Sequence, residues 1–410
     1  KTAYEISTRD WSSDVCSSDL VCDLLEAGGR LSRAEALAPA LELAEQGVAV
    51  TRDTAEALVD NVARLERGGA TVSPWMAGGS IIQLPETAAT LRGIIEHGPD
   101  AFYTGPVAEA IVAAVAREGG VMSLEDLASH ASVIRPPVEV DYRGVRVLTQ
   151  PPSSQAMLLA MALRRLAVEA PSDRSAAAQH RSVEAIAGAF AFRDRITQPG
   201  ADEELMALAD DIAIGERASR ADHAKGYNHT TSVTTADAEG NVVSMLISVF
   251  DSFGCATWVP GGGFFLNDRL LSFSRDPESP NAPAGGTRPV HTLSPAMIVD
   301  GDRCVGISTP SADGQVQALL QVVLAHLDEG LELGDAFDRP RWRVVGDLLR
   351  VEDDIEPALA DGLRALGHEV TDAPVGDSLF GSVCAAESNG ATGLVSCWAD
   401  LRRESWAGAW

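Results

Sequence analysis

The chain has 410 residues, a formal net charge of −27 and a sequence pI of about 4.6. So acidic a surface repels nucleic acid and anionic membranes, and we expect neither as a partner. The length allows one large domain or two of average size, and no apolar run reaches the roughly 18 residues that a membrane span requires.

The first twenty residues differ in character from the rest. Residues 10–20, "DWSSDVCSSDL", are polar and unpatterned, and they equal the translation of a DNA string that resembles a sequencing adapter. We therefore expect residues 1–20 to be a non-native artefact, with the true N-terminal part and any export signal missing. The five cysteines beyond it are an odd number, which leans toward a reducing, cytoplasmic compartment. They form no CxxC pair that would indicate zinc, and a bridge between Cys384 and Cys397 stays an alternative.

Residues 21–135 have the periodicity of helices. Ser32 with Glu35, and Asp53 with Glu56, have the spacing of capping boxes, which predicts two helix starts. A strand is predicted over residues 145–149, and helices are predicted from Ser154 onward and over residues 175–195.

A charged, weakly apolar stretch, "DDIAIGERASRADHAKG", has the composition of an exposed loop and leads to His229. "TTSVTTADAEGNVVSMLISVF" then predicts a β-hairpin, and "PAMIVDGDRCVGIS" predicts a second one. An amphipathic helix ending at Gly330 follows. Strands followed by helices in both halves predict sheets covered by helices.

The Thr230-Thr231 pair, directly after His229, has two interpretations. A threonine hydroxyl becomes a useful nucleophile when the α-amine of the same residue acts as its base, which requires a cut between His229 and Thr230. The alternative is that β-branched residues simply favour the start of a strand.

Four sequence blocks follow one another along the chain from Thr230 onward: "TTSVTTADAEGNVVS", "GGGFFLNDRLLSFS", "NAPAGGTRPVHTLSPAMI" and "STPSADGQVQALLQVVL". With "EHGPDAFYTG" and "PPSSQAML" before them, they resemble the gamma-glutamyltranspeptidase family of N-terminal-nucleophile hydrolases, and the resemblance covers nearly all of residues 21–410. It implies an α+β fold, a four-layer αββα sandwich. It also implies a precursor that cuts itself into a large-subunit portion, 21–229, and a small subunit, 230–410. The resemblance implies no metal or organic cofactor.

The resemblance also implies roles for single residues. Thr230 aligns with the nucleophile, and the bond from His229 to Thr230 is the cleavage site. Ser248 falls where the family has a threonine that bonds to the nucleophile; a strand serine without a role is the alternative. Ser311 and Ala312 fall where the family has a Gly-Gly pair whose backbone N–H groups form the oxyanion hole. Both residues restrict φ more than glycine does, so we expect the loop to differ.

The substrate pocket departs from the family pattern. Phe250 replaces a glutamyl-binding asparagine, Arg269 and Ser272 replace the partners of the α-amino group, and His291 with Thr292 replaces a serine pair. The family's partners of the α-amino group include an aspartate, and the loss of this acid with the gain of Arg269 and His291 favours an anion. We therefore predict a small-molecule amide whose acyl side carries a carboxylate but no α-ammonium. The alternative is that Arg269 is a surface or ion-paired residue and His291 a packed one.

"RPVHTLSPA" resembles the subset of the family formed by amidohydrolases and acylases, oxamate amidohydrolase among them, and glutathione is therefore not the expected donor. Two rival functions remain open. The first is a true γ-glutamyl transpeptidase or glutathione hydrolase with a rearranged pocket, which a screen of donors would distinguish. The second is a non-catalytic homologue that serves as a binding scaffold, which would leave the chain uncut.

Overall fold

The computed structural model of the protein describes residues 6–7, 18–72, 75, 80–197, 200–219 and 230–409. The chain divides into two compact units. The larger unit comprises Lys1–Ser7, Arg135–Ser248 and Leu270–Trp410, and the smaller unit comprises Thr8–Ile134 and Val249–Arg269. Within the described part of the chain, none of the helices combines the length and the apolar character that a membrane span requires.

A six-stranded antiparallel sheet, here called the central sheet, organises the larger unit. Across the sheet its strands are Leu394–Ala399, Cys384–Asn389, Arg303–Ser308, Ala296–Asp300, Val145–Thr149 and Val138–Tyr142. Buried and exposed residues alternate along Val138–Tyr142, as expected for a strand with one face in the core.

Helices contribute most of the apolar core of this unit. The first eight residues of the helix Ala156–Ala167 are all buried, which is typical of a helix segment that is apolar all round. The helices of the larger unit are Ala156–Ala167, Ala176–Phe190, Ala201–Leu208, Gln315–Leu327, Leu333–Asp338 and Pro357–Ala365. Short 3-10 turns are Arg193–Thr197, Ala209–Asp211, Arg269–Ser272, Ala312–Gly314 and Ser378–Phe380.

A two-stranded hairpin, here called the Thr231 hairpin, packs on the central sheet. Its strands are Thr231–Ala236 and Val242–Ile247. The approach is close, because a Cβ on Gly306 of the central sheet would lie 3.0 Å from Val242 Cγ1. The helices of the larger unit, the central sheet and the Thr231 hairpin form three layers of the predicted αββα sandwich. A separate three-stranded sheet consists of Trp342–Val345, Leu348–Glu352 and Glu369–Ala373.

The smaller unit is mainly helical. Its helices are Ser18–Gly28, Arg33–Gln46, Arg52–Arg67, Pro85–His97, Asp100–Tyr103, Pro106–Arg117 and Leu124–Ala128. Its strands are the short pieces Val48–Ala49, Ile81–Ile82, Val133–Ile134, Trp258–Val259 and Phe264–Phe265; Ile6–Ser7 is a further short strand of the chain.

Some of the predictions of helix caps, hairpins and a disulfide are confirmed and others are wrong. Ser32 and Glu35 form the predicted capping box, and both predicted hairpins are present. The prediction of a second box at Asp53 was wrong, because Thr51 is the N-cap of that helix and its side chain accepts from Thr54 N–H. Cys384 and Cys397 are free thiols, so the alternative of a bridge between them is excluded.

Candidate active site

The hydroxyl of Thr230 donates a 3.1 Å hydrogen bond to Ser248 Oγ. The register of the Thr231 hairpin explains this contact. Thr231 lies opposite Ile247, so the next residues outward, Thr230 and Ser248, face each other beyond the last strand pair. Both side chains are half-buried. His229 lies outside the described residues.

Cys384, in the central sheet, shows where this end of the hairpin lies. Its sulfur is 3.3 Å from Ser232 Oγ and 3.4 Å from Ser308 Oγ. Ser308 ends its strand and is followed by residues 309–314, here called the oxyanion loop because Ser311 and Ala312 are the predicted oxyanion donors. The start of the hairpin and this loop therefore lie at the same end of the central sheet.

Two residues of the oxyanion loop have left-handed backbone conformations. The φ angles are 110° for Ser311 and 44° for Ala312. Such conformations cost a non-glycine residue on the order of 1–3 kcal/mol each, so surrounding contacts must hold them. The two residues that replace the family's glycines thus keep a backbone that glycine would adopt with less strain.

A buried arginine supplies part of that support. Arg343 Nη1 donates to Ser311 Oγ at 2.6 Å and to Leu379 O at 2.6 Å. Burial lowers the pKa of Arg343 to about 10, and the charge of Asp313 opposes this effect. A Cβ on Gly314 would lie 2.7 Å from the guanidinium carbon, so the close approach requires glycine there.

Two buried side-chain amides, those of Gln155 and Asn281, form hydrogen bonds at or near the other predicted site residues of the larger unit. Gln155 Nε2 donates to Ala312 O at 2.8 Å and to Thr292 O at 3.3 Å. Asn281 Nδ2 donates to Ser272 O at 2.7 Å. The Asn281 Oδ1 atom in turn accepts from the N–H of Val290, directly before His291. Asn281 thus ties Ser272 to the residue before His291, and Gln155 ties Thr292 to the oxyanion loop. The backbone N–H of Gln155 also donates to His291 O at 2.8 Å.

Phe250 and Arg269 belong to the smaller unit and contact each other. The guanidinium carbon of Arg269 lies 4.6 Å from the centre of the Phe250 ring, a cation–π arrangement. Arg269 is only 2% exposed, so it is not a surface residue. His291 is also buried, at 2% exposed.

Sequence reasoning missed Gln155, Asn281, Arg343 and Cys384 as supports of the site. Gln155 lies within the "PPSSQAML" block, which was a usable signal; the partners of the others are distant in sequence. Elsewhere in the larger unit, three buried side chains have ligating atoms close enough together to hold a metal ion: His180, Glu184 and His368.

Residues 22–410 match the family profile of gamma-glutamyltranspeptidase. The chain belongs to the gamma-glutamyltranspeptidase family. Relatives of this family member include the acylase ACY 1 proenzyme of Pseudomonas sp. (strain V22), 30% identical over 377 residues that cover 86% of this chain and 68% of the relative. The oxamate amidohydrolase proenzyme of Klebsiella pneumoniae is 31% identical over 374 residues, covering 84% of this chain and 70% of the relative.

A solved structure supports the same assignment. Cephalosporin acylase from Bacillus halodurans matches this family member with a TM-score of 0.88 and 27% identity, over 100% of this chain and 81% of that one. The predicted fold class, an α+β sandwich of the N-terminal-nucleophile hydrolase type, is confirmed. Because its relatives are acylases, amidohydrolases and glutathione hydrolases, this family member is a hydrolase or acyltransferase.

Proposed function

We propose that this chain is a self-processing amidohydrolase whose nucleophile is Thr230. The observation that carries the proposal is the hydrogen bond between the Thr230 and Ser248 hydroxyls at the start of the Thr231 hairpin. It holds the hydroxyl in one orientation at the end of the central sheet where the oxyanion loop also lies. The names of the relatives, which are proenzymes, support maturation by cleavage.

Maturation would begin with attack of Thr230 Oγ1 on the carbonyl carbon of His229. The C–N bond breaks, the nitrogen takes the hydroxyl proton, and an ester forms between residue 229 and the Thr230 oxygen. Water then hydrolyses the ester, which leaves a carboxylate on His229 and a free amine on Thr230. The two parts, residues up to 229 and residues 230–410, stay together as subunits of one enzyme.

Turnover would use the same hydroxyl. The freed amine takes its proton, directly or through water, while the oxygen attacks the carbonyl carbon of the amide substrate. The amine leaving group departs with a proton, and water releases the acid from the Thr230 ester. We propose that the backbone N–H groups of Ser311 and Ala312 stabilise the oxyanion, since such donors need no particular side chain.

The substrate proposal rests on the exchanged pocket residues. We propose that Arg269 pairs with a carboxylate on the acyl side of the substrate, because a guanidinium binds carboxylate with two parallel hydrogen bonds. Its stacking on Phe250 would hold the guanidinium plane for that contact. Ser272 stands in place of a group that binds an α-ammonium, and His291 with Thr292 stands in place of a serine pair. We propose that these three residues also contact the substrate.

Two donors that differ in one group test this proposal. Glutaryl-p-nitroanilide and γ-glutamyl-p-nitroanilide have the same carbon chain and leaving group, and only the second carries an α-ammonium. We expect the enzyme to cleave the glutaryl compound with the higher kcat/KM, and Thr230→Ala to cleave neither. Preference for the γ-glutamyl compound would support a true transpeptidase. No turnover of either donor by a chain that also stays uncut would support the scaffold.

A further inference from the structure

A cluster of two histidines and a glutamate lies within the larger unit, and the proposed chemistry does not use it. His180 and Glu184 are one turn apart on the helix Ala176–Phe190, and His368 directly precedes the strand Glu369–Ala373. The three side chains, here called the His–Glu–His cluster, are buried, at 4%, 2% and 8% exposed respectively. Their ligating atoms all lie within 4.8 Å of one another.

Hydrogen bonds fix which nitrogen of His180 faces the cluster. Its Nε2 lies 2.8 Å from the carbonyl oxygen of Gly215, which accepts, so this nitrogen carries the proton in the neutral ring. The lone pair is then on Nδ1, which lies 2.8 Å from His368 Nε2. Metal-binding histidines have this arrangement, in which the second ring N–H is donated to a carbonyl.

Glu184 brings a negative charge into this buried place. Its carboxylate accepts from the backbone N–H of Ser219 at 3.0 and 3.2 Å, and no arginine or lysine among the described residues pairs with it. A buried carboxylate needs a compensating positive charge, and a cation between the three groups would supply it.

We propose that His180 Nδ1, His368 Nε2 and the Glu184 carboxylate bind a divalent transition-metal ion, with zinc as the best match. Two imidazoles and one carboxylate are a ligand set that zinc accepts, with a fourth position open to water. Zinc bonds of about 2.1 Å place neighbouring ligand atoms roughly 3.4 Å apart in a tetrahedron. The two rings must therefore separate slightly, and His368 must carry its proton on Nδ1 instead.

The cluster would connect both sides of the proposed cleavage site. His180 and Glu184 precede Thr230 in the chain and His368 follows it. Ser219, which donates to Glu184, directly precedes residues 220–229. A bound ion would thus hold the two products of cleavage together, a consequence that rests on the proposed function, whereas the metal site itself does not.

Metal titration tests the site directly. The tag-free full chain, stripped with a chelator, is titrated with Zn²⁺ in competition with a chromophoric chelator, for the wild type, Glu184→Gln and His368→Gln. His97→Gln is the matched control, because His97 lies on the surface of the smaller unit and outside the cluster. We expect one tight equivalent in the wild type and the control. In both cluster variants we expect binding weaker by more than about 100-fold, beyond the usual effect of losing an outer-shell contact.

Cobalt provides a second readout that is independent of catalysis. The Co²⁺-loaded wild type should show the visible absorption of a four-coordinate ion, and the two cluster variants should lack it. Glu184→Gln keeps the size of the side chain and an oxygen that can accept from Ser219, so we expect this variant to fold. Loss of metal binding in it therefore reports on the ligand, even if His368→Gln fails to fold. Zinc affinity in the wild type no higher than in Glu184→Gln would overturn the proposal, whatever the activity of the enzyme.

Discussion

The Ser311 hydroxyl joins the oxyanion loop to the buried guanidinium of Arg343. It accepts from Arg343 Nη1 at 2.6 Å and donates to Leu379 O at 2.8 Å. Ser311 itself has a φ of 110°, a conformation that favours glycine. The two side-chain hydrogen bonds of Ser311, one of them to a charged group, therefore offset the strain of its backbone conformation.

Substituting Ser311 separates these two effects. Ser311→Ala loses both hydrogen bonds and keeps the strain, so we expect the free energy of unfolding to fall by about 2–3 kcal/mol. Ser311→Gly loses the same bonds but relieves the left-handed conformation, which should recover about 1 kcal/mol. Urea denaturation of the two variants measures the difference. A glycine variant no more stable than the alanine variant would contradict this account of the loop.

Ser248 should matter through its contact with Thr230. We expect Ser248→Ala to slow both self-cleavage and kcat by about tenfold, the effect of one hydrogen bond of about 1–1.5 kcal/mol. Ser248→Thr keeps the hydroxyl and should retain most of both rates. Time courses on denaturing gels and steady-state kinetics give the two numbers. If Ser248→Ala matches the wild type in both, the hydroxyl pair has no functional role.

Arg269 should act on substrate binding. Replacing it with glutamine removes the proposed partner of the acyl-side carboxylate, so KM for glutaryl-p-nitroanilide should rise by about 10- to 100-fold, the effect of about 1.5–3 kcal/mol. The change in kcat should be small, because the contact stabilises the bound substrate and the transition state equally. An uncharged butyryl-p-nitroanilide is the control donor, whose KM should not rise. An equal rise for both donors would indicate a structural role instead.

The close approach at Gly306, which is not a proposed site residue, predicts an effect that acts through packing. A Cβ there would lie 3.0 Å from Val242 Cγ1 and 3.4 Å from Val243 O, so Gly306→Ala should displace the Thr231 hairpin and slow self-cleavage. Gly285→Ala is the matched control, since its Cβ would meet no atom within 4 Å. Equal cleavage rates in the two variants would show that this packing is not needed for maturation.

Local signals were the ones that could be predicted from the sequence. The Thr231 hairpin follows from alternating residues around a Gly-Asn turn, and its register then places Ser248 opposite Thr230. Thr51 was missed as a helix cap because Asp53 and Glu56 offered the same spacing two residues later. The hairpin and the helix cap both depend on residues that lie within a few positions of one another in the chain.

The supports of the site could not be predicted in this way. Gln155 reaches Ala312 across 157 positions, and Cys384 reaches Ser232 across 152. Such contacts depend on how the central sheet orders its strands, which residue spacing does not encode. The left-handed pair at Ser311 and Ala312 is a further case: the sequence led us to expect a changed loop, whereas tertiary hydrogen bonds hold the strained backbone.

The central claim is that the chain cuts itself before Thr230, and N-terminal sequencing of purified active protein tests it most directly. The proposed mechanism predicts a second N-terminus that reads Thr-Thr-Ser-Val, present in the wild type and absent from Thr230→Ala. An active preparation with a single, uncut chain, or with a second start at any other residue, would contradict it.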